Sequence, residues 1–227
     1  MEDATERLVY TRDASRRIDE EAAATYGIPG IVLMENAARG VAAIAHRMVA
    51  RAGRPARILL VCGTGNNGGD GWAAARHLTT LGHRCRIAAV GAPRPGSDAE
   101  TNAEISTRME IPSVTGGPTG FSDADLVIDA LFGTGLDRDV TGLAKEWIEA
   151  INGCSRPVLA VDVPSGLDAD LGRPLGHAVR ADRTATFVGW KAGFVEESAR
   201  AWTGGIEIVG IGIPDVLKRR HGRPRRM

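Results

Sequence analysis

The stretch that decides the fold is Ile58-Leu59-Leu60-Val61-Cys62-Gly63-Thr64-Gly65-Asn66-Asn67-Gly68-Gly69-Asp70-Gly71. Five apolar residues in a row have strand length, and they show no polar alternation. Such a strand is buried on both faces. A glycine-rich turn follows, and the run Trp72 to Leu81 then reads as a helix with Gly82 past its end. Strand, glycine turn and helix make the first half of a βαβ unit.

Working outward, the pattern repeats. Arg86–Val90, Leu126–Leu131 and Val158–Val161 read as further apolar strands, with helices over Asp98–Met109 and Leu143–Ile151 between them. Shorter apolar runs at Thr184–Val188 and Ile206–Val209 complete an edge. Upstream, Asp13–Tyr26 reads as a helix stopped by Gly27-Ile28-Pro29-Gly30. From Met34 to Val49 apolar residues recur at three- and four-residue steps, an amphipathic helix ending near Ala52-Gly53. The expected fold is α/β: a single-domain three-layer α-β-α sandwich around a Rossmann-like, mostly parallel central sheet.

Composition narrows the class. The chain has 227 residues, with 28 basic and 28 acidic side chains. Six of the basic ones crowd into residues 218–227, which carry no acid. The body at 1–217 is therefore mildly acidic, and 218–227 reads as a basic, disordered tail. Balanced charge argues against a nucleic-acid or membrane footprint. Three cysteines, Cys62, Cys85 and Cys154, are odd in number and far apart. They form no zinc or disulfide framework and suit the reducing cytoplasm. The 29 glycines are clustered rather than periodic, as expected where backbone approaches a ligand closely.

Three polar loops follow predicted strand ends: Gly63–Gly71, Asp129–Asp139 and Asp162–Asp168. Ligands bind outside the carboxyl ends of strands in such sheets, so the three should converge on one pocket. Each taken alone also reads as ordinary turn chemistry. Gly63-x-Gly65-x-x-Gly68 matches the dinucleotide fingerprint, yet the second strand lacks the acid that would hold a ribose. That weakens an NAD(P)-dependent oxidoreductase while leaving phosphate binding by glycine amides. No Gly-Lys-Ser/Thr follows any glycine loop, and none of the five histidines lies in the three loops. Asn67, Asp129 and Ser165 offer oxygen ligands only, which suit a hard cation.

Taken together, Leu33-Met34-Glu35-Asn36, Gly65–Gly71, Asp129–Leu136 and Val161–Asp168 resemble the YjeF N-terminal domain, whose enzymes are NAD(P)H-hydrate epimerases. The resemblance runs to Gly212-Ile213-Pro214 and takes in Ala178–Asp182 and Lys191–Gly193. It implies a repair enzyme that interconverts the R and S forms of hydrated NADH and NADPH. A separate S-specific dehydratase would then restore the cofactor. Carried onto this chain, the resemblance implies that Asn66, Asn67, Gly68, Gly69 and Asp70 bind the hydrated nucleotide. Gly133, Thr134, Gly135, Leu136, Asp137, Arg138 and Asp139 would form a second binding loop, and Asp162 would contact the altered nicotinamide. Asn67, Asp129 and Ser165 would hold potassium (K+).

Two positions depart from the common pattern, Ala38 and Thr64, and neither supplies a ligand side chain. Asp162 is the candidate acid/base. Lys191 reads as a surface or phosphate-contacting lysine, with stabilisation of substrate charge as its other role. The competing function is a non-catalytic nucleotide-binding or scaffold module on the same fold. A homodimer is common among relatives. Loss of everything after Leu217 should leave activity unchanged if the tail is disordered.

Overall fold

A computed structural model describes residues 8–50 and 53–225. Strand β2 (Arg57–Cys62) lies near the middle of a seven-stranded sheet, followed by helix α3 (Asn66–Thr80), strand β3 (Arg84–Ala89), helix α4 (Asp98–Arg108) and edge strand β4 (Ser113–Thr115). The chain then returns to the other side of β2 as β5 (Leu126–Ala130). It continues through helix α5 (Gly142–Gly153) to β6 (Val158–Val161), β7 (Arg183–Phe187) and β9 (Gly205–Val209). The order is β4-β3-β2-β5-β6-β7-β9, and every neighbouring pair is parallel. This is the three-layer, Rossmann-like single domain that the alternation of apolar strands and helices implied.

Alternate residues of the buried strands feed opposite cores. Ile58, Leu60 and Cys62 of β2 pack with α3 and with helix α2 (Gly30–Val49), whereas Leu59 and Val61 pack with Trp147, Ile148 and Ile151 of α5. Period-two geometry alone produces that division. Helix α1 (Arg12–Tyr26) starts at Thr11, whose Oγ1 accepts from the Ala14 N–H at 3.1 Å. It ends at Gly27 with φ +64°, the left-handed cap that the Gly-Ile-Pro-Gly breaker supplies.

Two expectations are corrected. Helix α3 begins at Asn66, six residues before the sequence pattern suggested, so most of the glycine-rich loop is the helix's first two turns. Glycine disfavours helix, but close packing overrides propensity here. A Cβ on Gly68 would lie 1.9 Å from the Gly63 carbonyl oxygen, and one on Gly69 would lie 2.7 Å from the Met34 sulfur. The second correction concerns the basic C-terminus, expected to be disordered. Helix α7 (Asp215–His221) runs through its first half, and strand β10 (Arg223–Pro224) follows. β10 pairs antiparallel with β1 (Leu8–Tyr10), which pairs parallel with β8 (Trp190–Lys191) on its other side. Apolar burial drives this order, since Leu217 is fully buried and Tyr10 nearly so. Arg226 of the expected tail and Ala52 at the expected end of α2 lie outside the described residues. Two short 3-10 turns, Ala192–Val195 and Glu197–Ala199, and the four-residue helix α6 (Arg200–Thr203) link β8 to β9.

Among the described residues no helix is long and apolar enough to cross a membrane.

Candidate active site

The sheet reverses its winding between β2 and β5, and the loops leaving β2, β5 and β6 open on the same side of that switch point. Their meeting place is Gly133. A Cβ there would sit 3.0 Å from Asn67 Oδ1 and 3.1 Å from Asp162 Oδ2. Asn67 and Asp162, from the first and third loops, therefore both border Gly133 of the second. A side chain at 133 would press on the ends of the Asn67 and Asp162 side chains.

Helix α3 supplies the first wall. Its cap is Gly65, with no side-chain hydrogen bond to the first-turn amides and no acid in the first turn. Uncapped N–H groups and the positive end of the helix dipole make this terminus receptive to phosphate. Asn67 and Asp70, three residues apart, share one face of the helix, and both are buried. Asn66 is exposed at the mouth.

Asp162 stands at the centre. It is 8% exposed and adopts φ +64°, a left-handed conformation that aspartate tolerates better than most residues. Its N–H donates to Ala185 O at 2.8 Å. That geometry turns the carboxylate back over β7, where Oδ1 meets Lys191 Nζ at 2.7 Å. The amides of Thr134 and Phe187 approach the two carboxylate oxygens at 3.3 and 3.4 Å. Lys191 is 2% exposed and also donates to Phe187 O at 2.9 Å. The expectation of a surface lysine is thus corrected. β8 is too short to show periodicity, and its partner carboxylate lies 29 positions back in the chain.

Burial, then the charges of Asp162 and Asp19, push the Asp70 carboxyl well above the ordinary carboxylate value. Asp19, on α1, was not singled out by sequence. Much of that residue's surface meets solvent, yet its carboxyl sits close enough to Asp162 and Lys191 to feel both charges. Desolvation first, then Asp162, raises it to about 6 against the pull of Lys191. Carboxylates crowded around one buried carboxylate–lysine pair hold their protons more tightly than free carboxylates do.

Beneath this cluster Asp129 is fully buried at the end of β5. Ser165 donates to it twice, from N to Oδ2 at 2.8 Å and from Oγ to Oδ1 at 2.6 Å. Ser165 Oγ also accepts from the Phe132 N–H at 2.9 Å. Burial nevertheless raises Asp129 to about 6, opposed by those bonds and by the Leu131 amide. Asn67 has neither a donor nor an acceptor partner for its buried Nδ2 and Oδ1 among the described residues. A buried amide oxygen without a partner, at the same end of the sheet as the buried Asp129 carboxylate and Ser165 hydroxyl, suits a hard cation. No cluster of three His, Cys, Asp or Glu side chains with metal-binding geometry occurs among the described residues. An all-oxygen donor set suits a hard cation rather than a soft transition metal.

The rest of the second loop is more open. Gly135 and Asp137 to Asp139 are exposed, while Leu136 packs on the α5 side of the sheet. Two surface clefts lie away from the three loops. One, of about 460 Å³, runs between α2 and β9, and another, of about 280 Å³, lies under the amino ends of β2 and β3. Neither gathers the buried carboxylates, so chemistry rather than hollow volume locates the site.

Residues 30–193 match the family model for the YjeF-related protein N-terminus. An NAD(P)H-hydrate epimerase of Pirellula staleyi is 40% identical over 219 residues, covering 92% of this chain and 94% of that protein. One from Limosilactobacillus fermentum is 42% identical over 181 residues, covering 78% and 84%. The bifunctional NAD(P)H-hydrate repair enzyme Nnr of Moorella thermoacetica is 40% identical over 210 residues. That match takes 88% of this chain but only 40% of the larger protein. The crystal structure of yeast ynu0 superposes with a TM-score of 0.84 at 21% identity, over 96% of this chain and 95% of that one, and shares the fold.

Proposed function

The chain belongs to the YjeF-related N-terminus family, and on that premise we propose that it is an NAD(P)H-hydrate epimerase, an isomerase of hydrated NADH and NADPH. The observation that carries this reading is the meeting of Asn67 and Asp162 around Gly133, one residue from each loop, with Asp162 held in a buried carboxylate–lysine pair. A scaffold that only bound nucleotide would have no use for Asp162, Lys191, Asp70 and Asp129 buried together.

In the hydrated nicotinamide, C6 carries a hydroxyl and is bonded to the ring nitrogen. Protonation of that hydroxyl lets it leave as water while the nitrogen lone pair forms an iminium. Water then adds to either face of C6 and gives up a proton, so nothing is consumed. The protein must bind the nucleotide, exclude bulk water and move one proton out and one back. Asp162 is the proton-exchanging group at C6, and Lys191 holds its carboxylate in place. Asp70, whose carboxyl is pushed well above the ordinary carboxylate value by burial and by its acidic neighbours, is the adjacent proton-holding group.

The amides of Asn66, Asn67 and Gly68 at the start of α3, which precede the first helical hydrogen bond from Gly69 N–H to Gly65 O, take the pyrophosphate, with Gly69 and Asp70 behind them, and Gly133 to Asp139 close over the other side. Asn67, Asp129 and Ser165 would hold a potassium ion, whose charge would balance phosphate oxygens and order the loops. The product is the substrate of a separate S-specific dehydratase. The larger relatives named as bifunctional repair enzymes support that pairing, as the three free cysteines support a cytoplasmic setting.

The test couples purified R-hydrate to an S-specific dehydratase and follows reduced-nicotinamide absorbance. The chain should accelerate recovery, and Asp162→Asn should remove the acceleration. Full activity in Asp162→Asn would refute the assignment of that residue, and no acceleration by the parent would refute the function.

A further inference from the structure

Lys191 is the buried cation of the site among the described residues, yet its strand is not part of the seven-stranded sheet. β8 is two residues long, and among the described residues its strand ladder is made with β1, Val9 opposite Trp190 and Tyr10 opposite Lys191, while the Lys191 side chain reaches Phe187 O of β7. β1 is itself held from its far side by β10, with Leu8 opposite Pro224 and Val9 opposite Arg223. The guanidinium carbon of Arg225 lies 3.7 Å from the centre of the Trp190 ring, a stacked cation–aromatic contact. Helix α7 locks the same corner. Tyr10 OH donates to Lys218 O at 3.3 Å, and Arg220 and His221 both bond to Glu21 of α1. The Tyr10 ring in turn leaves no room for a side chain at Gly189, where a Cβ would lie 2.5 Å from Tyr10 Cε2. A two-residue strand has little order of its own, so the register of Lys191 against Asp162 is imposed from both chain ends.

We propose that the three-stranded sheet made by the two chain ends sets the position of Lys191 on Asp162, so that Trp190 and Arg225 are positioning residues for epimerisation. The proposal rests on the site reading above. It gives the basic C-terminal segment a mechanical role: its charges matter through one stacked arginine, and the remainder supplies β10 and its docking helix. It also reverses the expectation that loss of the terminus leaves activity unchanged.

The test compares the full chain, a variant lacking residues 223–227 that retains α7, and the variants Arg225→Ala and Arg225→Lys. A displacement of about 1 Å at a reacting group costs roughly 100-fold in rate. The shortened chain should therefore lose about 10- to 100-fold in kcat with KM within about two-fold. Arg225→Ala should lose less, and Arg225→Lys should recover most of the loss because it restores the cation.

A second readout does not need turnover. Lys191→Met is introduced into both the full and the shortened chain, and thermal unfolding is measured. If the terminal sheet holds Lys191 on Asp162, the drop in Tm caused by Lys191→Met should be less than half as large in the shortened chain. Equal drops in both backgrounds, or kcat within two-fold of the parent in the shortened chain, would overturn the proposal. An inactive full-length parent would instead count against the site reading, and the unfolding comparison would still decide the positioning role.

Discussion

Replacing Lys191 by Met removes one member of a buried ion pair while keeping most of its aliphatic stem. The two side chains are only 3% and 11% exposed, and their charged atoms are 2.7 Å apart. Removing one partner strands a carboxylate that two long amide contacts, at 3.3 and 3.4 Å, compensate poorly. Breaking a buried pair from one side costs about 3–5 kcal/mol. For a chain of this length about 3 kcal/mol corresponds to a fall in Tm of roughly 6–12 °C. Asp162→Asn keeps the left-handed backbone accessible, because Asn tolerates φ +64° as Asp does, and strands the ammonium instead. The double variant carries no buried charge at this point, so its cost should be about 1 kcal/mol, far below the sum of the single costs. The assay is urea and thermal unfolding of the four proteins at one ionic strength, with equal m-values as the check on two-state behaviour. Single variants as stable as the parent, or additive costs, would refute the claim that this is a desolvated, coupled pair.

Other outcomes follow from single contacts. Gly68→Ala would press a Cβ to 1.9 Å from the Gly63 backbone oxygen. It should cost about 3 kcal/mol in urea unfolding, whereas Gly65→Ala meets nothing within 4 Å and should stay within about 1 kcal/mol. Ser165→Ala leaves the half-buried Phe132 N–H without its acceptor and Asp129 without its shortest donor, for about 2 kcal/mol. It should also abolish any rise in Tm that KCl produces in the parent. Asp129 has its folded pKa raised to about 6 from 3.8, so the folded state binds this proton more tightly than the unfolded state. Its penalty is absent below pH 3.8, grows as pH rises toward 6, and is constant above. In potassium-free buffer the parent should therefore lose stability across that window relative to Asp129→Asn, by about 3 kcal/mol at most. A flat difference between pH 4 and 7 would contradict the assignment.

Much of the fold was legible because its decisive segments are long and one-sided. Ile58–Cys62 and Leu126–Ala130 are continuous apolar runs that only a covered parallel sheet accommodates, and each is followed by the polar loop that becomes site. The start of α3 was illegible for a local reason. Asn66 to Gly71 read as turn residues, and only packing against Gly63, Met34 and Cys62 explains why they are helical. β1, β8 and β10 have two or three residues each, too few for a period, and they exist through one another. Lys191 was visible as a residue but not as a buried one, since lysine is rarely buried without a partner and the partner is remote in sequence. Asp19 gave no sign at all, because the charges of Asp162 and Lys191 reach it only through the way α1 docks. The loop residues Asn67, Gly133 and Asp162 could be named from motif and strand position, and their contact is a property of the folded chain.

The most direct measurement of the central claim is proton NMR of purified R-hydrated NADH with catalytic amounts of the chain and no dehydratase. The account predicts that the S form appears until the two epimers reach equilibrium, with total hydrate unchanged and no NADH formed. Persistence of the R form at its uncatalysed rate, or formation of NADH without the dehydratase, would contradict it.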